Sequence, residues 1–141
     1  MDVTQLPFNR HIGLEVAADA GFLVSLPDGP QYTNHVGTVH ASALLAVAEA
    51  GSGAFLAQQF GPREGFVPVV RRLEAKFRKP ATGWMSARCP VPAEHVSRWS
   101  DGLASRGRVS ASVPVEVVDA AGVVVLSVTV EWFIARSGQN D

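Results

Sequence analysis

The feature that most constrains this chain is the run of residues 41–60, which is apolar on nearly every side and carries one carboxylate, Glu49, near its middle. Such a run predicts a helix that is buried on most of its surface. A charge inside a buried helix costs several kcal/mol unless another group compensates it. Packing alone does not account for a carboxylate there, so Glu49 is the first candidate functional residue.

A membrane-spanning helix is the alternative interpretation of this run, since about 20 apolar residues are needed to cross a bilayer. Glycine and polar residues interrupt it at 51–53 and 58–59. A central carboxylate costs about 2.5–3.5 kcal/mol on insertion scales. We therefore expect a soluble core helix and no membrane partner. The N-terminus lacks a basic region followed by an apolar core, so no signal peptide is expected.

Length and composition exclude several classes of protein. The 141 residues suit one domain, 1–141, with a flexible lead-in at 1–10 and a flexible tail at 136–141. A net charge of -1 gives no basic field for nucleic acid. The single cysteine, Cys89, excludes a disulfide framework and suits a reducing cytoplasm. No His, Asp or Glu cluster has metal-ligand spacing, so no metal is expected.

Outside the helix, apolar residues recur with a period of two, which predicts strands. The predicted elements are strands at 12–16, 22–26, 66–79 and 84–89, a short helix at 92–105, and strands at 109–117 and 124–134. The turns between strands are too short for parallel crossovers, which favours an antiparallel sheet. The apolar face of this sheet must cover the helix, so the sequence predicts a two-layer α+β domain.

In the predicted strand 66–79, apolar and polar residues occupy opposite faces. One face carries Val69, Leu73, Ala75 and Phe77, with Arg71 as the exception. The other face carries Arg72, Glu74, Lys76 and Arg78.

The segment before the helix offers donors for a developing negative charge. A helix N-terminus presents unpaired backbone N–H groups, here those of residues 41–43, to a carbonyl oxygen that becomes an oxyanion. Asn34 and His40 add side-chain donors nearby, and Gly37 allows the loop to approach a ligand closely. Burial raises the pKa of a carboxylate such as Glu49, which suits a general base or a nucleophile.

Helix geometry separates these two groups within one chain. His40 and Glu49 are nine positions apart, about 13 Å along the axis and roughly half a turn around it. One copy cannot easily aim both at the same carbonyl. Ser42, Glu49 and Gly53 form a stripe, with Ala46 beside it, that would let a second chain come close. The sequence therefore predicts a homodimer with sites at its interface.

The spacing of Asn34, His40 and Glu49 on this helix resembles that of hotdog-fold acyl-CoA thioesterases of the phenylacetate-pathway type. Residues 73–83 resemble the strand and turn that follow the helix in those enzymes, and 115–132 are similar to an uncharacterised branch of the superfamily. The likeness covers about 11–135. It implies a hotdog fold, in which a curved antiparallel β-sheet wraps a long central helix.

By this resemblance, Glu49 would activate water or attack the thioester, and Asn34 would position water or substrate. His40 and the backbone N–H near Ser42 would polarise the carbonyl. The residues expected to bind substrate are Gly37, Arg71, Arg72, Lys76 and Arg78. Of these, Arg72, Lys76 and Arg78, together with Lys79, form a basic face that is the candidate site for the phosphates of coenzyme A. Coenzyme A enters only as part of the substrate, with no separate cofactor. The expected assembly is a dimer or a dimer of dimers.

The chain departs from the family pattern twice, with Ala41-Ser42 in place of Gly-Gly after the histidine and Trp84 in place of an acidic residue. Both departures bear on the pocket and on substrate choice. Structural roles also remain open: Glu49 as half of an ion pair, His40 as a helix cap, Asn34 in an Asx turn, and the basic residues as a solvated strand face.

A non-catalytic acyl or acyl-CoA binding protein of the same fold is the alternative function. A dehydratase is less favoured, because the helix lacks that relative's proline-rich approach and longer spacing from histidine to carboxylate.

Overall fold

The computed structural model describes residues 1–61 and 65–137, which form one antiparallel sheet and three α-helices. The helices are α1 (Pro7–Ile12), α2 (Ala41–Phe60) and α3 (Ala93–Arg106), and the strands are β1 (Glu15–Val16), β2 (Val24–Leu26), β3 (Phe66–Phe77), β4 (Met85–Arg88), β5 (Arg108–Val118) and β6 (Val124–Arg136). The strand order is β1-β2-β4-β5-β6-β3, and every pair is antiparallel. The predicted α+β class and antiparallel sheet are confirmed.

Helix α2 packs across β2, β4, β5 and β6, on the face of the sheet that we call the inner face. Its start and end are those that the apolar run predicts, and Gly61 ends it with a φ of 60°. A Cβ built on Gly51 would lie 2.7 Å from the Cβ of Ala87. The glycine therefore allows the helix backbone to lie directly on β4.

By length and composition alone α2 could cross a membrane. In this fold it is a core helix, because seven of its residues are buried: Leu44, Val47, Ala48, Ala50, Gly51, Ser52 and Leu56. The arrangement is that of a soluble α+β domain.

The N-terminal segment is helical, which the sequence does not predict. A 3-10 helix at Val3–Gln5 precedes α1, and the amide of Asn9 donates to the carbonyl oxygen of Val3 at 2.9 Å. Pro7 occupies the start of α1, where its missing N–H has no helical partner to lose. The predicted strand from Ile12 is consequently only the two residues of β1. The predicted flexible tail falls mostly on residues 138–141, outside the described residues.

Strand β3 contains a bulge that changes which residues share a face. Val69 lies opposite Phe133 and Leu73 lies opposite Val130, with a register shift between Val70 and Arg72. Neighbouring residues of a strand point to opposite faces, and Phe133 and Val130 have opposite parity on β6. The prediction that Val69 and Leu73 share a face is therefore wrong. Arg71 is the extra residue of the bulge, which explains its place in an apolar pattern.

Among the described residues, β3 pairs with β6 alone and forms an edge of the sheet. Phe66 and Val70 pack against the core, but the core does not cover the second half of the strand. Leu73 and Phe77 lie on its inner face, opposite the buried Val130 and Leu126, yet they are 43% and 48% exposed.

Candidate functional site

Glu49 lies at the wall of an apolar cavity of about 420 Å³, which we call the Glu49 cavity. It lies between α2, the N-terminal segment and the inner-face residues of β3 and β6, and its lining includes Val3, Gly53, Pro68 and Trp132. The carboxylate is half-buried and makes no hydrogen bond or ion pair with any residue that the structure describes. Burial raises the pKa of Glu49 above its ordinary value. The ion pair considered from the sequence is thus absent among these residues.

A short chain of hydrogen bonds holds this wall in place. The indole N–H of Trp132 donates to the hydroxyl of Ser52 at 2.9 Å, and that hydroxyl donates to the backbone carbonyl of Glu49 at 2.7 Å. Ser52 is 0% exposed. This pair is not predicted from the sequence, although a buried tryptophan in a valine-rich strand needs a partner for its N–H.

His40 caps α2, the role that the sequence left open beside a catalytic one. Its Nδ1 accepts the backbone N–H of Ser42 at 3.0 Å. Nδ1 is therefore unprotonated in this arrangement, and the proton of the neutral ring lies on Nε2. The ring offers one donor, Nε2–H, while the N–H of Ser42 is already engaged.

His40 and Ser42 line a second cleft, of about 640 Å³, together with Tyr32, Ala43 and Ala46. This cleft shares no lining residue with the Glu49 cavity. A single chain therefore carries the carboxylate and the donors at different places, as the nine-residue spacing predicts.

Asn34 organises the loop that leads to the helix. Its side-chain oxygen accepts the N–H groups of Val36 and Thr38 at 3.0 and 3.1 Å, and its amide donates to the Thr38 hydroxyl at 2.8 Å. Gly37 has a φ of 81°, a left-handed value that glycine adopts without strain. The loop thus has the Asx turn that the sequence analysis kept as one option. One amide proton of Asn34 remains for a ligand.

The four predicted cationic residues lie on the outer face of the sheet, away from α2. The guanidinium of Arg71 lies 3.9 Å from the centre of the Phe133 ring. Arg72 pairs with Glu74 at 3.4 Å, and the Nε of Arg78 donates to the Ser127 hydroxyl at 2.6 Å. Lys76 lies opposite Ser127. Within a single chain these cations do not line the Glu49 cavity.

The structure adds nothing that would make Cys89 reactive. Burial raises the pKa of its thiol to about 12, so the nucleophilic thiolate is scarce at neutral pH. Within residues 1–61 and 65–137, no group of three or more His, Cys, Asp or Glu side chains could hold a metal ion.

This arrangement of helix and sheet is shared with several solved structures. PA5026 of Pseudomonas aeruginosa, a protein of unknown function described as a probable thioesterase, is 25% identical, with a TM-score of 0.80 over 95% of this chain and 91% of that one. OLEI01261 of Chlorobaculum tepidum, of unknown function, is 20% identical, with a TM-score of 0.78 over 94% and 88%. BH2602 of Bacillus halodurans, solved with CoA, is 19% identical, with a TM-score of 0.66 over 87% and 72%. These likenesses confirm the predicted fold and define the protein as a thioesterase-like hotdog domain.

The family can be stated more narrowly. The chain belongs to the family described as a domain of unknown function, DUF4442, whose model matches residues 5–134. Among curated proteins, none matches the chain.

Proposed function

We propose that this protein hydrolyses acyl-CoA thioesters. The observation that carries the proposal is the carboxylate of Glu49, half-buried and unpaired among the described residues, on the wall of an apolar cavity. A carboxylate with a raised pKa is a good general base near neutral pH. The likeness to a probable thioesterase and to a protein solved with CoA supports this choice of chemistry.

In the proposed reaction, Glu49 takes a proton from a water molecule as the water oxygen attacks the thioester carbonyl. The carbonyl oxygen becomes an oxyanion, and a hydrogen bond from the Nε2–H of His40 stabilises it. The C–S bond then breaks, the acid forms, and the sulfur of coenzyme A leaves and takes up the proton. Since one protomer holds His40 and Glu49 in different cavities, the two groups in each site come from two protomers.

Strand β3 supports the proposed homodimer. Among the residues that the structure describes, it is a 12-residue edge strand with no partner on one side. Its large exposed apolar residues are Val67, Val69, Leu73 and Phe77. A long apolar edge is a template for pairing with another strand. Pairing β3 with the β3 of a second copy would cover part of these side chains, and the proposed shared site requires that this pairing also bring the second His40 to the Glu49 cavity.

The test is thiol release from a panel of short, medium, long and aromatic acyl-CoAs, with Glu49→Gln and the exposed control Glu94→Gln. We expect Glu94→Gln to behave as wild type. Glu49→Gln should keep the fold and lose at least about 100-fold in kcat, since general base catalysis contributes roughly that much or more. Full activity in Glu49→Gln would show that the mechanism is wrong.

A non-catalytic acyl-CoA binding protein is the second candidate, and one observation favours it. The Ser42 N–H, a donor expected for the oxyanion, is engaged by the ring of His40. Tight acyl-CoA binding without turnover on any member of the panel would establish that function. In either case we expect the cytoplasm as the compartment, where a free Cys89 is stable.

A further inference from the structure

Asn9 of α1 is a buried amide on the wall of the Glu49 cavity. The residue is 5% exposed, and it lines that cavity. Its Nδ2 donates to the backbone oxygen of Val3 at 2.9 Å, which fixes how the amide is turned. Its Oδ1 accepts no hydrogen bond from any residue that the structure describes. No fully enclosed side-chain oxygen or nitrogen among those residues lacks a partner, so Oδ1 is open to a small molecule in the cavity.

Asn9 lies at the level of the carboxylate along α2. Before it in the chain, Val3 lies beside Gly53, since a Cβ built on that glycine would be 3.9 Å from a methyl group of Val3. After it, Ile12 lines the second cleft together with Ala46. The N-terminal segment therefore runs along α2 in the opposite direction, and Asn9 falls between the levels of Ala46 and Gly53. Position 49 is in that interval, and both side chains line the same cavity.

Asn9 and Glu49 are the two side chains with oxygen atoms among the described residues of this wall. The other side chains are apolar or, in the case of Trp132, already donate to Ser52. An amide oxygen and an ionised carboxylate both accept hydrogen bonds, so they cannot bond each other and each needs a donor. A thioester group has acceptors only and supplies none. Water has two O–H groups and supplies one to each acceptor.

Building on the proposed function, we propose that Asn9 is the second residue that holds the attacking water, which lies between its Oδ1 and the carboxylate of Glu49. Two accepted hydrogen bonds direct a lone pair of the water oxygen at the thioester carbon. Glu49 takes one hydrogen as a proton while the C–O bond forms. The other hydrogen stays bonded to Oδ1 of Asn9 and remains on the acid. When the C–S bond breaks, the proton on Glu49 passes to the sulfur.

A purely structural role for Asn9 is the alternative, because its amide ties α1 to the backbone of Val3. Asn9→Leu removes both this tie and the acceptor, whereas Asn9→Asp removes the amide N–H and keeps an oxygen in the cavity. Thr4→Val is the matched control. It removes a hydroxyl that donates to Asp2 at 2.6 Å in the same segment, and Thr4 does not line the Glu49 cavity.

The experiment measures kcat and KM by thiol release, and the binding of an S-alkyl-CoA thioether by calorimetry. The thioether has no carbonyl and cannot be hydrolysed. Asn9→Leu should lower kcat about tenfold or more, because a hydrogen bond to the reacting water is lost. It should leave thioether affinity within about twofold of wild type, since the water acts in the chemical step.

Asn9→Asp should keep several-fold more of kcat than Asn9→Leu, because an acceptor remains. Thr4→Val should keep the kcat of wild type even where its melting temperature falls as far as those of the Asn9 variants. Thermal melting of all three variants makes that comparison.

A crystal structure of wild type with the thioether bound tests the geometry directly, and it decides the question even if the Asn9 variants do not fold. We expect an ordered water about 2.6–3.2 Å from both Oδ1 of Asn9 and the carboxylate of Glu49. A ligand N–H in that place, or two separate waters, would overturn the inference.

Equal kcat in Asn9→Leu and Asn9→Asp, or in Asn9→Leu and Thr4→Val, would also overturn it. The loss of activity in Glu49→Gln would then leave the hydrolase function standing. If wild type releases no thiol from any acyl-CoA, the hydrolase function fails, and the crystal structure decides whether Asn9 and Glu49 share a water.

Discussion

At the residue scale, the candidate site depends on one carboxyl group, Glu49, whose charged form is disfavoured by its apolar surroundings. Among the described residues, desolvation by burial is the cause that raises the pKa of Glu49. Its position was predictable because a charge in an otherwise apolar run stands out in any sequence. Its lack of a partner was not predictable, since that depends on residues far away in the chain, such as Pro68 and Trp132.

The raised pKa of Glu49 predicts how stability depends on pH. The folded state retains a proton on this carboxyl at pH values where the unfolded chain has released it. The free energy of unfolding therefore falls as pH rises from the ordinary pKa of 4.5 through the raised pKa of the folded state. Glu49→Gln removes this effect. We expect the melting temperature of Glu49→Gln to exceed that of wild type. The difference should grow from about pH 4 up to the raised pKa of Glu49 and stay constant at higher pH.

Thermal melts across pH 4–8 measure this difference, with Glu15→Gln, at an exposed position outside the helices, as the control. A difference between Glu49→Gln and wild type that stays the same at every pH would contradict the assignment.

Ser52 is predicted to be structural. Ser52→Ala leaves the buried N–H of Trp132 without an acceptor, which costs about 1–3 kcal/mol. The matched control is Ser105→Ala, which removes the same kind of hydroxyl-to-carbonyl bond from the exposed part of a helix. Urea denaturation gives both values. In the Ser52→Ala background, Trp132→Phe should cost less than in wild type, and equal costs would show that the two side chains are not coupled.

At the element scale, the sequence predicts the elements that depend on a local pattern of apolar residues. It does not predict the features that depend on pairing between strands. The apolar run bounded by Gly61 defines α2, and the valine alternation defines β5 and β6. Helix α1 is not predicted from the sequence, although Pro7 suits a first helical turn. The bulge at Arg71 was missed because only the pairing with β6 reveals a one-residue slip.

Two glycines of α2 are predicted to respond oppositely to the same substitution. Gly51→Ala places a Cβ 2.7 Å from the Cβ of Ala87 on β4. Overpacking of this kind costs about 1–3 kcal/mol and outweighs the gain in helix propensity. Gly53→Ala meets only ordinary contacts, so it should stabilise by up to about 1 kcal/mol.

Chemical denaturation compares the two variants, and Ala87→Gly should restore part of the stability that Gly51→Ala loses. If both glycine variants shift stability in the same direction, α2 and β4 are not packed as closely as described.

At the scale of the whole molecule, the unpaired edge of β3 predicts that the protein is a dimer in solution. Leu73→Arg places a charge on the uncovered inner face of β3, so we expect it to weaken the dimer at least about tenfold. Activity should be lost although Glu49 and His40 are intact.

Val123→Arg, which adds the same charge at an exposed residue between β5 and β6, is the control. Light scattering and thiol release are the measurements, and a strictly monomeric wild type would contradict the shared site.

The pairing of β3 with β6 also determines when this fold can form during synthesis. The segment that becomes β3 leaves the ribosome directly after α2, but the strand that pairs with it is made about 50 residues later. At a synthesis rate of about 5–20 residues per second, β6 is made on the order of 3–10 s after α2 and β3. During that interval the most apolar helix of the chain lacks part of its sheet. Nascent chains that end before residue 124 should therefore bind chaperones, and release should follow the emergence of β6.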